Sequence, residues 1–323
     1  MKKVITSVLI MILLLFLAWE ILTESETILS SVNFSFTIWR DNIFPSLFPF
    51  FVLSEILINF GFVELVSELF KGIMSKLFKV SGNGAFVFIM SLVSGFPSNA
   101  KYIKELYLQK FINEYEATKI LTFTHFSNPL FIIGTIGTTF LNNKKAGLLI
   151  IISHYLTNII IGLIFRNYYP IEKKVTKTSL KKAIIKMHQK RISNNKSFGL
   201  IITNALLNSI NTLLLILGII TMFLCITTII DNNLTINNYN QSILNGFLEM
   251  TQGLKYISIL DVPLKFKTTL IVMILSFGGL SVHMQIMSIL SDTKIKYLPF
   301  LTARLLHSAI SALICFFTFD LVI

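Results

Sequence analysis

Two carboxylates stand inside apolar segments. Glu55 closes Phe50-Phe51-Val52-Leu53-Ser54-Glu55, and Glu249 closes Gly246-Phe247-Leu248-Glu249. An ionisable side chain at membrane depth is costly, so it faces a cavity, a partner or a coupling ion. The plainer alternative is a pairing with Lys or Arg near the membrane interface. Two short apolar runs, 85–93 and 270–277, each end at a glycine with a serine three residues on. The turns read Ser94-Gly95-Phe96-Pro97-Ser98-Asn99 and Gly278-Gly279-Leu280-Ser281-Val282-His283. Each run is about half of the roughly 20 residues a spanning helix needs. Backbone broken at that depth leaves amides and carbonyls unpaired, which is tolerated only in a polar cavity or inside protein. A pair of interrupted segments, one in each half, points to a transporter's binding site, and the two turns are expected to meet near mid-membrane. Helix N-termini and hydroxyls exposed there would bind a polar or anionic group. Alternatively, the Ser and Asn residues only cap the following helix.

A third break is expected at His125-Phe126-Ser127-Asn128-Pro129, because a residue before proline leaves helical geometry easily. Its carbonyls would face the same cavity, unless the proline makes a simple kink. The candidate substrate site is therefore Glu55, Gly95, Pro97, Ser98, Asn99, Ser127, Asn128, Gly278, Gly279, Ser281 and His283. Glu55, Glu249 and Arg304 are candidates for ion or proton coupling. Arg304 lies about a turn into the last span, where it either snorkels to the surface or acts as counter-ion to Glu249. His154 and His307 each head a span and are expected at the interface. The histidines have no Cys, Asp or Glu at metal-ligand spacing, so no metal is expected. Neither glycine turn is followed by Lys-Ser/Thr, so there is no phosphate-binding loop. No nucleophile or acid–base pair stands out, and neither an enzyme nor a cofactor is expected.

The elements that must position these groups are membrane helices. The chain has 323 residues, 54% of them hydrophobic and 14% charged, with a mean hydropathy of +0.73. A soluble domain is nearer a quarter charged. That length allows about seven or eight spans and one sizeable loop. The net charge of +12 sits mainly in loops, which orients a membrane protein and has no aromatic interleaving to suggest nucleic acid. Cys225 and Cys315 lie in apolar runs and read as small core residues.

Residues 4–21 form an uncleaved first helix with a cytoplasmic N-terminus, since Trp19 and Glu20 stand where a signal-peptide cleavage site would be. Residues 23–41 are polar, carry only Arg40 as a base, and fit the outside. Spans follow at 44–62, opened by Pro45 and Pro49, at 118–140 and at 146–165. Segment 63–80 is amphipathic and lies on the inner surface; 101–116 is a second amphipathic stretch. Segment 166–196 carries Arg166, Lys173, Lys174, Lys177, Lys181, Lys182, Lys186, Lys190, Arg191 and Lys196 against Glu172 alone. It is read as a cytoplasmic linker facing anionic headgroups. Residues 213–230 span, 231–241 fit the outside, 243–260 form a weaker span, and the last span begins at 298.

The expected fold is an all-α polytopic membrane helix bundle of two related halves, each with a broken, half-spanning helix. The divisions are 1–43 for the first helix and outer segment, 44–166 for the first half, 167–197 for the linker, and 198–323 for a linking helix and the second half. Each half holds an intramembrane Glu, then a Gly-x-x-Ser break, then a His-headed span.

The run Leu47-Phe48-Pro49-Phe50-Phe51 with Glu55, then Ser94-Gly95-Phe96-Pro97 with Ala100-Lys101, then Ser127-Asn128-Pro129-Leu130-Phe131, resembles the sporulation integral membrane protein family of the YlbJ type. So do Gly278-Gly279-Leu280-Ser281-Val282-His283-Met284-Gln285 and Ala303-Arg304-Leu305-Leu306-His307 in the second half. Gln285, which closes the first of these, joins the candidate site. The resemblance covers residues 45–307 and implies a Gate or nucleoside-recognition fold. It also implies an endospore-forming bacterium and a role in building the spore cortex. The expected location is the bacterial cell membrane, on the forespore or mother-cell side. A secondary transporter or channel for a small polar solute or ion is the first functional reading. The alternative is a membrane scaffold that binds lipid or a partner protein, such as a second copy or another sporulation membrane protein.

Overall fold

The computed structural model describes residues 2–169 and 179–323, and helix is the only regular structure among them. The helices of the first part are α1 (Lys2–Thr23), α2 (Ser25–Ile38), α3 (Phe44–Asn59), α4 (Phe62–Phe78), α5 (Gly84–Ser94), α6 (Ser98–Leu108), α7 (Glu114–Phe123) and α8 (Lys144–Ile164). Then come α9 (Leu180–Ser193), α10 (Phe198–Asn233), α11 (Asn238–Leu248), α12 (Met250–Ile259), α13 (Leu264–Phe277), α14 (Gly279–Ile289) and α15 (Tyr297–Val322). Six stretches are long and apolar enough to cross a membrane, fewer than composition suggested; one of them, Leu264–Ile289, runs through Gly278, so the run expected at 270–277 as a half-span belongs to a stretch of full spanning length. The shortfall lies where helices stay short. Gly84–Ser94 and Phe131–Phe140 are apolar but too brief. Residues 243–260, expected as one span, fold instead as α11 and α12, which pack against each other.

The polar segment expected on the outside is helical and packed. Residues 25–59 run as one 35-residue helical stretch, with a π-turn at Trp39–Ile43 joining α2 to α3. Its hydroxyls are spent on α10 rather than on water. Ser31 bonds Thr228 at 2.5 Å, Ser35 bonds Thr221 at 2.7 Å, and Trp39 Nε1 donates to the Leu213 carbonyl at 2.8 Å. The first partners climb while the second descend, so α2–α3 and α10 are antiparallel. Hydroxyls four residues apart share one helix face, and hydrogen bonds between membrane helices are an ordinary use for them. Leu47, Phe51, Leu213, Ile216 and Leu224 fill the seam below. The boundary expected at residue 43 therefore falls inside a continuous helix.

The basic linker is docked on the protein. Lys173, Lys174 and Lys177, with Glu172, lie outside the described residues, but Leu180–Ser193 forms α9 on the flank of α4. Glu68 is buried between Lys186 Nζ at 2.8 Å and Lys71 Nζ at 2.5 Å. Burial alone would raise the Glu68 carboxyl, and the two ammonium groups outweigh it and hold the carboxyl below its ordinary value. Arg191 lies over the Phe60 ring at 4.6 Å, and Asn194 donates to the Asn59 carbonyl at 3.1 Å. Glu68→Ala is expected to free α9, read as faster limited proteolysis within residues 180–193. Unchanged cleavage would show that the aromatic and Asn194 contacts suffice.

Two structural sequences follow the same order. α5 and α6 pack side by side, α7 gives way to residues 124–128 and the π-helix Phe131–Phe140, and α8 covers them. α11 and α12 pack side by side, α13 passes into α14 through Gly278, and α15 covers α13. α13 and α15 are antiparallel: Lys265 Nζ meets Asp320 Oδ2 at 2.5 Å at one end, and Ser311 Oγ donates to Ser276 Oγ at 2.9 Å towards the other.

Candidate functional site

The chain leaves helical geometry at Gly95–Pro97, at 124–128, at Glu249 and at Gly278, and the four places touch. Gly95 has φ +80° and ψ 175°, a region essentially reserved for glycine. A Cβ there would lie 2.5 Å from the Asn128 amide nitrogen. Gly278 has φ +96°, and its Cβ position faces the His125 ring at 3.2 Å. Gly279 presses on Met250, beside Glu249, with its Cβ position 3.0 Å from the Met250 nitrogen. The two glycine turns thus meet through segment 124–128.

That segment's backbone has lost its helical partners, and buried amides and carbonyls must find others. Side chains of α8 supply most of them. Asn158 Nδ2 donates to the His125 carbonyl at 2.8 Å, and Tyr155 Oη to the Ser127 carbonyl at 2.9 Å. The Ser127 amide donates to His154 Nε2 at 3.0 Å. Asn128 closes both ends: its Oδ1 accepts from the Leu130 amide at 2.7 Å, and its Nδ2 donates to the Ser94 carbonyl at 3.2 Å.

α15 supplies the rest through Arg304, which is wholly buried. Its Nη2 donates to the Thr122 carbonyl and, at 3.4 Å, to Asn158 Oδ1; its Nη1 bonds His307 Nδ1 at 2.6 Å. Thr122 is in the last turn of α7, whose final carbonyls have no helical partner and carry the negative end of the helix dipole. Arg304 therefore neither snorkels nor serves as counter-ion to Glu249; it caps α7. His154 and His307 are not interfacial either. Both are buried, with rings stacked at 4.6 Å. Their tautomers follow from their partners. His154 Nε2 accepts the Ser127 amide, so Nδ1 carries the proton and donates to Ser276 Oγ at 2.9 Å. His307 Nε2 faces the His154 carbonyl at 2.9 Å and must donate, which leaves Nδ1 to accept from Arg304.

Glu249 caps α12. Its Oε2 accepts from the Gln252 amide at 2.8 Å and its Oε1 from Ser281 Oγ at 3.4 Å. Between these breaks lies a cavity of about 70 Å³, room for a few water-sized species. Of the residues expected from sequence, Pro97, Ser127, Asn128, Glu249 and Gln285 line it. Others stand behind it. Ser98 spends its hydroxyl on Ser94 Oγ at 2.6 Å and on the Gly95 carbonyl. His283 bonds Tyr297 Oη at 2.7 Å and the Phe277 carbonyl at 3.0 Å. Asn99 is buried with neither amide atom bonded. Gly95, Gly278, Gly279 and Ser281 shape the walls without lining the space.

Glu55 is elsewhere. It lines a separate cavity of about 360 Å³ with Lys104, Glu105 and Asn211, accepts from Asn208 Nδ2 at 2.7 Å, and lies 3.8 Å from Lys101 Nζ. Sequence reasoning missed Asn42, Ser46 and Thr251 in the smaller cavity. The signal was present, since Asn42 and Ser46 are four residues apart beside an apolar helix and Thr251 follows Glu249 closely. Among the described residues no group of three metal-ligating side chains occurs.

No family model matches the chain, and no solved structure matches it. A curated relative does: the sporulation integral membrane protein YlbJ of Bacillus subtilis (strain 168) is 34% identical over 332 aligned positions, covering 95% of this chain and 81% of the relative. With helices long enough to cross a membrane and that identity over nearly its whole length, the chain belongs to the YlbJ-type family of sporulation integral membrane proteins.

Proposed function

We propose that this protein is a secondary carrier or channel that moves a small polar solute or ion across a membrane during spore formation, in support of cortex assembly. One observation carries the reading: the breaks at Gly95–Pro97, 124–128 and Glu249, with α14 just beyond Gly278, border one small cavity in which Ser127, Asn128, Glu249, Thr251 and Gln285 stand among apolar side chains. Irregular backbone at membrane depth is the usual way transporters build a midplane site. The order packed helix pair, interrupted helix, long covering helix occurs twice, which supports two related halves. In that register the α5–α6 turn corresponds to Glu249, and residues 124–128 correspond to Gly278. The stacked His154 and His307 then hold matching places on α8 and α15. The N-terminus and α9 belong to the cytoplasmic side, by the distribution of Lys and Arg.

Ser46 lines the cavity from α3, away from the interrupted segments. Ser46→Phe is expected to fill the space, leave membrane abundance near wild type, and lower the yield of heat-resistant spores at least tenfold in a strain lacking its own copy. Full rescue by an abundant Ser46→Phe protein would favour the scaffold reading.

A further inference from the structure

The charge of the cavity wall identifies what it holds. Of its lining residues only Glu249 is ionisable; no Lys, Arg or His shares the space. Glu249 is 1% exposed, and its hydrogen-bond donors are all neutral: the Gln252 amide, the Thr251 amide and hydroxyl, and the Ser281 hydroxyl. Among the described residues it forms no ion pair. The buried guanidinium of Arg304 is turned onto Thr122 and His307. Glu55 offers a contrast within the same protein, since it is already balanced by Lys101. A buried carboxylate without a counter-charge is strongly disfavoured, so Glu249 must either hold a proton or be matched by a positive species.

We propose that this cavity binds one alkali cation of sodium size, with Glu249 as its charged ligand and a proton on Glu249 as its competitor. The inference deepens the transport reading and rests on it for its biological sense. Ser46, Ser127, Asn128, Thr251 and Gln285 bring further oxygen atoms to a wall that is otherwise mostly apolar. Hard oxygen donors suit alkali and alkaline-earth ions. A single carboxylate balances one positive charge, whereas divalent sites usually gather more. A volume of about 70 Å³ admits a small ion with a water or two and no large organic solute. A cation there would tie the α12 N-terminus to segment 124–128 and to the α5–α6 turn. It would thus stabilise the assembled arrangement of all these breaks.

The test is thermal unfolding of the purified full-length protein at constant ionic strength in sodium, potassium or N-methylglucamine chloride. Sodium is expected to raise Tm by about 2 °C or more over N-methylglucamine, as a bound ligand must. The shift should vanish as acid protonates Glu249. Glu249→Gln should abolish it and Glu55→Gln should keep it. If Glu249→Gln does not fold, Thr251→Val serves, since it removes an oxygen without changing charge and should reduce the shift. Equal Tm values in sodium and N-methylglucamine would overturn the proposal, as would a shift that survives Glu249→Gln or Thr251→Val. The same protein in liposomes separates the two readings. Solute flux without a sodium shift leaves the carrier standing and removes the cation; a sodium shift with no flux does the reverse.

Discussion

Arg304→Leu is expected to deplete the protein from the membrane more severely than any other single change in the bundle. The guanidinium joins the Thr122 carbonyl, Asn158 and His307 in one buried place. Leucine would leave the carbonyl and the Asn158 oxygen unbonded, at about 1–3 kcal/mol for each orphaned buried group. It would also leave the negative end of the α7 dipole without a cation, an effect of up to about 2 kcal/mol in buried geometry. Relief from burying a charge works in the opposite direction and offsets part of that loss. Arg304→Lys makes the comparison sharper. An ammonium can reach one acceptor but lacks the planar fork, so Lys should fall between wild type and Leu in abundance and in Tm. Wild-type abundance and Tm for Arg304→Leu would show that segment 124–128 is held by α8 alone.

Gly95→Ala is the second large effect. At φ +80° and ψ 175° an L side chain is strained by about 1–3 kcal/mol. Its Cβ would also sit 2.5 Å from the Asn128 nitrogen and 2.8 Å from the Asn128 Cβ. Neither neighbour can yield easily, because Asn128 is tied at both ends to Leu130 and Ser94. The α5–α6 turn would separate from segment 124–128, and the cavity between them would lose its shape. Gly134→Ala is the control: nothing lies within 4 Å of its Cβ position, and alanine in a helix is intrinsically favoured. Gly95→Ala should lose spore rescue and several degrees of Tm while Gly134→Ala keeps both. Equal behaviour of the two would mean that the turn tolerates the side chain.

Much of this was legible because it is local. Continuous apolar runs specify the long helices, and Gly95, Gly278 and Pro129 mark where helices stop, since backbone freedom and missing donors act within a residue or two. Glu249 stands out as a carboxylate in an apolar setting without reference to any neighbour. The partners of the polar face of α2 were not legible, because hydropathy registers a hydroxyl and says nothing of what it bonds; Ser31 and Ser35 are spent on residues nearly two hundred positions away. The span expected at 243–260 failed for a related reason. Composition over a window does not reveal a chain reversal, and here Glu249 caps a new helix that packs back on the one before it.

By itself, then, the sequence determined that this chain is a membrane helix protein, marked the turns at Gly95 and Gly278 and the stop before Pro129, and singled out Glu55 and Glu249 as carboxylates in apolar segments. Only the tertiary structure decided that the interruptions share one cavity, that Glu249 lines it while Glu55 pairs with Lys101, and that Arg304 caps α7. The reason is physical. Helix and break depend on neighbours along the chain, whereas the worth of a buried charge depends on what faces it across the fold.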